Sequence, residues 1–186
     1  IKPTPAIGGI GLIKNYEDMI NMNFKNNGNV VYVIGKTEGH LDQSVFAKEI
    51  LNEKKGPPPI INLFNEKNIG DTILNLIEQK LIITCHDVSL GGILTAVSKM
   101  CIKGNKGIKL HNLKGLTNKY EYFFGEDQGR YIIEIPKNKI KSVVDILNRN
   151  SVHYDDLGII QDKNMSYKGD INLPIEDLSD AHKYWL

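Results

Sequence analysis

Ile83–Gly92, read ITCHDVSLGG, puts a thiol (Cys85), an imidazole (His86), a carboxylate (Asp87) and a hydroxyl (Ser89) within five residues, then adds Gly91 and Gly92. Nucleophilic catalysis needs the thiol and the imidazole to meet. Neighbours in a strand point to opposite faces, so Cys85 and His86 are badly placed for it. Metal binding needs ligands that converge. The five histidines are His40, His86, His111, His153 and His182. No two are three or four residues apart and there is no CxxC pair, so the spacing argues against a zinc or di-iron centre. Magnesium held by carboxylates beside a phosphate stays open.

The third chemistry is anion binding at a helix start. Asp87–Gly92 lies between an apolar run and an amphipathic segment. Ser89 is a natural N-cap, and Gly91 and Gly92 let the backbone approach a ligand closely. The competing reading is purely structural: Ser89 only caps, the glycines only permit packing, and Asp87 bonds local backbone. A second polar cluster, FFGEDQGRY (Phe123–Tyr131), brackets Glu126, Asp127 and Gln128 between Gly125 and Gly129. It is either a solvated turn or a loop presenting Glu126 and Gln128 to a ligand, with Arg130 available for phosphate.

These clusters need elements to hold them. VVYVIG is a continuous apolar run closed by Gly35 and reads as a buried strand. A helix with Phe46, Ile50 and Leu51 on one face follows, capped by Asp42 and stopped by Gly56 and three prolines. Asn62 opens a longer helix to about Gln79, with Leu63, Ile69, Ile73, Leu76 and Ile77 as its stripe and Gly70 as its weak point. KLIIT is the next strand, GGILTAVSKMCIK a helix behind it, GIKL a strand and RYIIEI a further one. Pro136 starts a helix with the stripe Ile140, Val143, Val144 and Leu147. HYDDLGII and NMSYKG read as a hairpin bending at Gln161–Lys163, and PIEDLSDAHKYWL as a short terminal helix. The opening IKPTPAIGGIGLI reads as a turn and a short strand. The break NNGN (Asn26–Asn29) marks a domain boundary. Six or seven strands and five helices in mixed order give an α+β layered domain with a mixed sheet.

Composition bounds the function. The chain has 186 residues, 41% of them hydrophobic and 24% charged, as in soluble globular proteins. A formal charge of +1 gives no field for nucleic acid or an anionic membrane. Lys103, Lys106 and Lys109 are interrupted by glycine and asparagine and read as a solvated loop. No apolar run reaches membrane-spanning length. Two cysteines, Cys85 and Cys101, fit free thiols in a reducing cytoplasm. The chain begins at Ile1 rather than Met and reads as processed, or as cut from something longer.

Five segments in order, PTPAIGGIGLI, GHLDQSVFAKEI, GPPP, TCHDVSLGG and FGEDQGRY, resemble the C-terminal part of the phosphoribosylformylglycinamidine synthase family. That family belongs to a superfamily with aminoimidazole ribonucleotide synthetase, selenophosphate synthetase and a hydrogenase maturation factor. The resemblance implies that residues 1–27 are the tail of a barrel-forming domain and residues 28–186 a three-layer α/β/α domain. It implies an ATP- and Mg2+-dependent reaction of formylglycinamide ribonucleotide, with ammonia from a glutaminase subunit or domain. Upstream domains of the same polypeptide would carry the catalytic histidine and most ATP and magnesium ligands. No catalytic or metal-binding residue is therefore assigned here, and the isolated chain is expected to be inactive.

By pseudo-symmetry within the family, Glu126, Asp127 and Gln128 would face a second cleft that in some members holds a structural nucleotide. The candidate ligand-binding residues are Asp87, Ser89, Gly91, Gly92, Glu126, Gln128 and Arg130. Two departures stand out: Leu90 where the family has a carboxylate, and Asp42 where it has glycine. A related synthetase of the superfamily, or a nucleotide-holding module without chemistry, are the alternative readings.

Overall fold

A computed structural model describes residues 6–13, 15–53, 55–112 and 118–184. Its centre is β1 (Val30–Ile34), buried at every residue. The chain continues through α1 (Val45–Glu49), α2 (Leu63–Glu78), β2 (Thr84–Asp87), α3 (Gly92–Gly104) and β3 (Gly107–Leu110). Then come α4 (Lys119–Phe124), β4 (Tyr131–Ile135), α5 (Ile140–Arg149), β5 (Tyr154–Gln161), β6 (Asn164–Tyr167), β7 (Ile171–Pro174) and α6 (Ile175–Lys183). The strands form one sheet in the order β2-β4-β1-β5-β3-β6-β7. Its pairs are antiparallel except β3–β6, which is parallel. The mixed α+β sheet expected from the sequence is thus present.

Each face of the sheet carries its own core. On one face Val31, Val33 and Ile132 pack under Ile93, Val97 and Met100 of α3, with Phe123 of α4 and Ile175 of α6. On the other, Tyr32, Ile34 and Ile133 pack under Ile73 and Leu76 of α2 and Val143 and Leu147 of α5. Strand alternation makes this division, and the result is helix, sheet, helix. Among the described residues no helix is long and apolar enough to cross a membrane.

Asn62 caps α2 as expected, its Oδ1 accepting from the Asn65 amide at 3.1 Å. At the other end Lys80 turns left-handed (φ 55°), its amide donates to Ile77 O, and the Leu81 amide returns to Leu76 O. This Schellman closure consumes Lys80–Ile82. It displaces the strand expected at KLIIT to Thr84–Asp87. Leu81 and Ile82 are buried before the strand begins.

Other expectations are corrected. β5 and β6 do not form a hairpin, because β3 lies between them. The start of β3 sits in the fork where β5 passes into β6: a Cβ on Gly107 would lie 2.1 Å from Asn164 O. The true hairpin is β6–β7. Ser44, not Asp42, caps α1, its Oγ accepting from the Ala47 amide at 3.0 Å. The helix is shorter than expected, leaving Ile50 and Leu51 exposed. Residues 6–13 form no strand and expose Ile7, Ile10 and Leu12; among the described residues no strand pairs with them, and apolar alternation alone does not make one. The start of that segment, Ile1–Pro5, lies outside the described residues.

Candidate ligand cleft

The two polar clusters converge. β2 and β4 are adjacent antiparallel strands, with Asp87 opposite Tyr131. Their loops therefore leave the sheet side by side. Asp87, Ser89, Glu126, Gln128 and Arg130 border one recess of about 330 Å³. It adjoins a wider cleft of about 700 Å³ walled by the loop after β1, the start of α2 and the Asp127–Gly129 turn. Gly91 and Gly92 border neither.

Within this arrangement most of the candidate residues serve the fold. Glu126 Oε1 accepts from the Gly91 amide at 2.8 Å and from the Val45 amide at 2.8 Å. One carboxylate oxygen thus sits at the heads of α3 and α1 together, where helix dipoles favour negative charge. The anion at this helix start is the protein's own. Asp127 accepts from the Gly39 and His40 amides, both at 3.1 Å. Its neighbour Arg130 is 1% exposed. It donates to Gly125 O at 2.6 Å, Asp127 O at 3.3 Å and Thr37 Oγ1 at 3.2 Å, and pairs with Asp127 Oδ2 at 3.5 Å. Arg130 is therefore not free for phosphate. Burial pulls its pKa down and Asp127 opposes that shift.

Ser89 does not cap α3. The cap is Gly91, left-handed at φ 82°, and it is the Ser89 carbonyl that accepts from the Gly92 amide at 3.0 Å. Gly92 is needed for packing: at φ 71°, a Cβ there would stand 2.7 Å from Phe123 O and 2.8 Å from Gly125 O. Here the structural reading of the glycines prevails over the phosphate cradle.

Asp87 and Gln128 keep exposed side chains at the recess. The cleft also brings in residues that the sequence reading had not singled out. Glu66 projects from the first turn of α2, and His40 bonds the Pro57 carbonyl at 3.0 Å. Glu38, Asp42, Glu66 and Glu121 line the wider cleft, and Lys36, its lysine, pairs with Glu38 at 2.7 Å. The cleft is carboxylate-rich, which disfavours a bare phosphate. Among the described residues no three His, Cys, Asp or Glu side chains are placed to hold a metal ion.

Cys85 and His86 point to opposite faces. Cys85 packs in the α2/α5 core, and burial pushes its thiol pKa up to about 12. His86 stands opposite Ile132, a residue of the α3-side core. A thiol held protonated and facing away from the imidazole is no nucleophile. Cys101 is buried and free, and burial likewise raises it to about 12.

A seven-stranded mixed sheet between two helical layers, with its loops tied at one end by the carboxylates of Glu126 and Asp127, defines a three-layer α/β/α domain. The family described as AIR synthase related protein, C-terminal domain, matches residues 26–168, and the chain belongs to it. Over its whole length the chain is 59% identical to the phosphoribosylformylglycinamidine synthase subunit PurL of Pelagibacter ubique, covering 26% of that protein. It is 34% identical to the same subunit of Rhodopseudomonas palustris, covering 25%. The chain thus spans about a quarter of the length of these curated relatives. Among solved structures, Thermotoga maritima PurL complexed with FGAR superposes with TM-score 0.72 at 20% identity, over 88% of this chain and 30% of that one. PurL of the same organism complexed with ATP gives 0.69 at 18%, over 88% and 27%. At these identities the superpositions establish the fold.

Proposed function

We propose that this chain is the C-terminal domain of a phosphoribosylformylglycinamidine synthase. The full protein converts formylglycinamide ribonucleotide to the amidine, using ATP and ammonia derived from glutamine, in the cytoplasm. The observation that carries this reading is the 59% identity to a PurL subunit across every residue of the chain. In this reading residues 28–186 form the domain and residues 1–27 lead in from the domain before it.

The residues present do not by themselves suit ATP with Mg2+. Glu126 fills the head of α3, Arg130 is spent internally, and among the described residues the carboxylates form no metal set. The reactive groups accordingly belong to upstream polypeptide, and this domain contributes Asp87 and Gln128 to a shared cleft. What this chain does is structural: its clamps fix where the cleft loops stand.

The test is amidine formation by the full-length protein with formylglycinamide ribonucleotide, ATP, magnesium and ammonia, followed by mass spectrometry. The expected result is amidine with stoichiometric ADP from the full protein and none from residues 1–186 alone. Full-length protein that turns over ATP with a different ribonucleotide, or an active fragment, would refute the reading.

A further inference from the structure

We infer that Glu134 is a positioning residue. It pins residues 18–29 to the two strands that carry the recess loops, and so fixes this domain's attitude to the polypeptide that leads into it. For its effect on turnover the inference rests on the function proposed above.

Glu134 lies within β4 and is 0% exposed. A carboxylate in such a place needs a partner for each oxygen. Among the described residues, every hydrogen bond to it comes from Lys25–Asn29. Oε2 accepts from the Lys25 amide at 2.8 Å, and Oε1 accepts from the Asn26 amide at 3.0 Å and from Asn29 Nδ2 at 2.7 Å. These are charge-assisted bonds to a segment 105 to 109 positions away in sequence. For stability alone, an apolar side chain of similar size would suit the core beside Val31 and Ile132 at least as well. The carboxylate instead selects which backbone lies there and in what register.

The rest of the segment is fastened around this pin. Lys80 pairs with Asp18 at 3.0 Å, and the Cys85 amide donates to Asn21 O at 3.2 Å. Phe24 is buried against α3, so closely that a Cβ on Gly104 would stand 2.4 Å from Phe24 O. The Gly28 amide donates to Ile160 O at 2.7 Å, and the Ile160 amide to Asn29 O at 2.9 Å. Residues 18–29 are therefore a stiff joint and not a loose tether. The joint bears on the recess. Glu134 stands opposite Thr84 in the β2–β4 pair, and that pair ends at Asp87 and Tyr131, which border the recess. Three residues of strand, about 10 Å, separate the pin from those two residues.

The experiment compares full-length wild type with Glu134→Leu and Glu134→Gln. Hydrogen exchange is read by mass spectrometry, and steady-state kinetics are run with formylglycinamide ribonucleotide at saturating ATP, magnesium and ammonia. Peptides over residues 18–29 should exchange at least about ten-fold faster in Glu134→Leu, with those over β1 and α5 unchanged. A loosened joint lowers the fraction of protein ready to bind, so KM should rise at least about five-fold while kcat is kept. Glu134→Gln keeps one acceptor oxygen and should fall between. Loss of folded protein does the opposite, lowering kcat at constant KM. That opposite split, or unchanged exchange over residues 18–29, would overturn the inference. Asn29→Ala removes a single donor and carries the same test if Glu134→Leu does not fold, with exchange faster by at least about two-fold. A wild type that forms no amidine removes the proposed reaction, while the exchange contrast still decides the joint.

Discussion

Glu126 Oε1 lies 2.8 Å from the Gly91 amide nitrogen, 35 residues away in sequence, and the same oxygen takes the Val45 amide. A residue that the sequence offers as a ligand contact is a clamp between two helix heads. The clamp rests more on the acceptor oxygen than on the charge that the helix heads favour, which a pair of substitutions separates. Glu126→Gln keeps a carbonyl oxygen able to accept both N–H groups, and Glu126→Ala leaves both unsatisfied. Urea unfolding should show Glu126→Ala destabilised by about 2–4 kcal/mol and Glu126→Gln by less than about 1.5 kcal/mol. Equal losses in the two variants would mean that the charge itself is what matters.

Arg130 is the second structural surprise. Its guanidinium is enclosed and fully engaged. Arg130→Met strands the Gly125 and Asp127 carbonyls and removes the cation beside Asp127. A cost of about 3–5 kcal/mol is expected. Arg130→Lys should recover little, because an ammonium cannot reproduce the planar fork. Thermal unfolding of both variants checks this. A stable Arg130→Met that merely weakened phosphate binding would restore the ligand role.

What was legible in the sequence follows the range of the interactions. β1 is a continuous apolar run and α2 has its Asn62 cap four residues from Glu66, so both are readable locally. The stripe of α5 placed Val143 and Leu147 in the core. The false hairpin at Gln161–Lys163 has good local chemistry, and only the nonlocal insertion of β3 defeats it. α4 and β7 went unread, the first because KYEYFF carries no helical period, although Asn118 caps it from the Tyr120 amide. At the site, Asp87, Ser89, Glu126, Gln128 and Arg130 were readable as polar candidates, and the pairing of β2 with β4 is what brings them to one recess. The use of those residues was not readable, since Glu126 answers to partners 35 and 81 positions away.

Gly92 gives a test of packing against ligand approach. Its backbone is left-handed, and an added Cβ would press on the backbone of Phe123–Gly125, which cannot yield as a side chain tip can. Gly92→Ala should cost at least about 2 kcal/mol from strain and overlap together. Gly70→Ala, in α2, meets nothing within 4 Å and should stabilise by about 0.5–1 kcal/mol. Unfolding midpoints of the two variants should therefore move in opposite directions. A neutral Gly92→Ala would show that α3 and α4 have room to separate.

His86 supplies a pH dependence. Burial lowers its pKa first; Asp87, 3.2 Å away, raises it, and Lys99 lowers it further. Its Nε2 is enclosed without a hydrogen-bond partner. The folded protein thus keeps the ring neutral at a pH where the unfolded chain, with a histidine pKa of about 6.5, already takes up a proton. Proton uptake then favours the unfolded state. The stability tied to a neutral His86 is present above about pH 6.5 and declines as pH falls toward the lower folded-state pKa. His86→Phe removes this titration and the unpaired nitrogen while keeping an aromatic ring on the core side of β2. Between pH 7 and pH 5 the variant should lose stability less steeply than the wild type, as read from urea midpoints at each pH. Parallel slopes would mean that His86 gains a proton as readily in the folded chain as in the unfolded one.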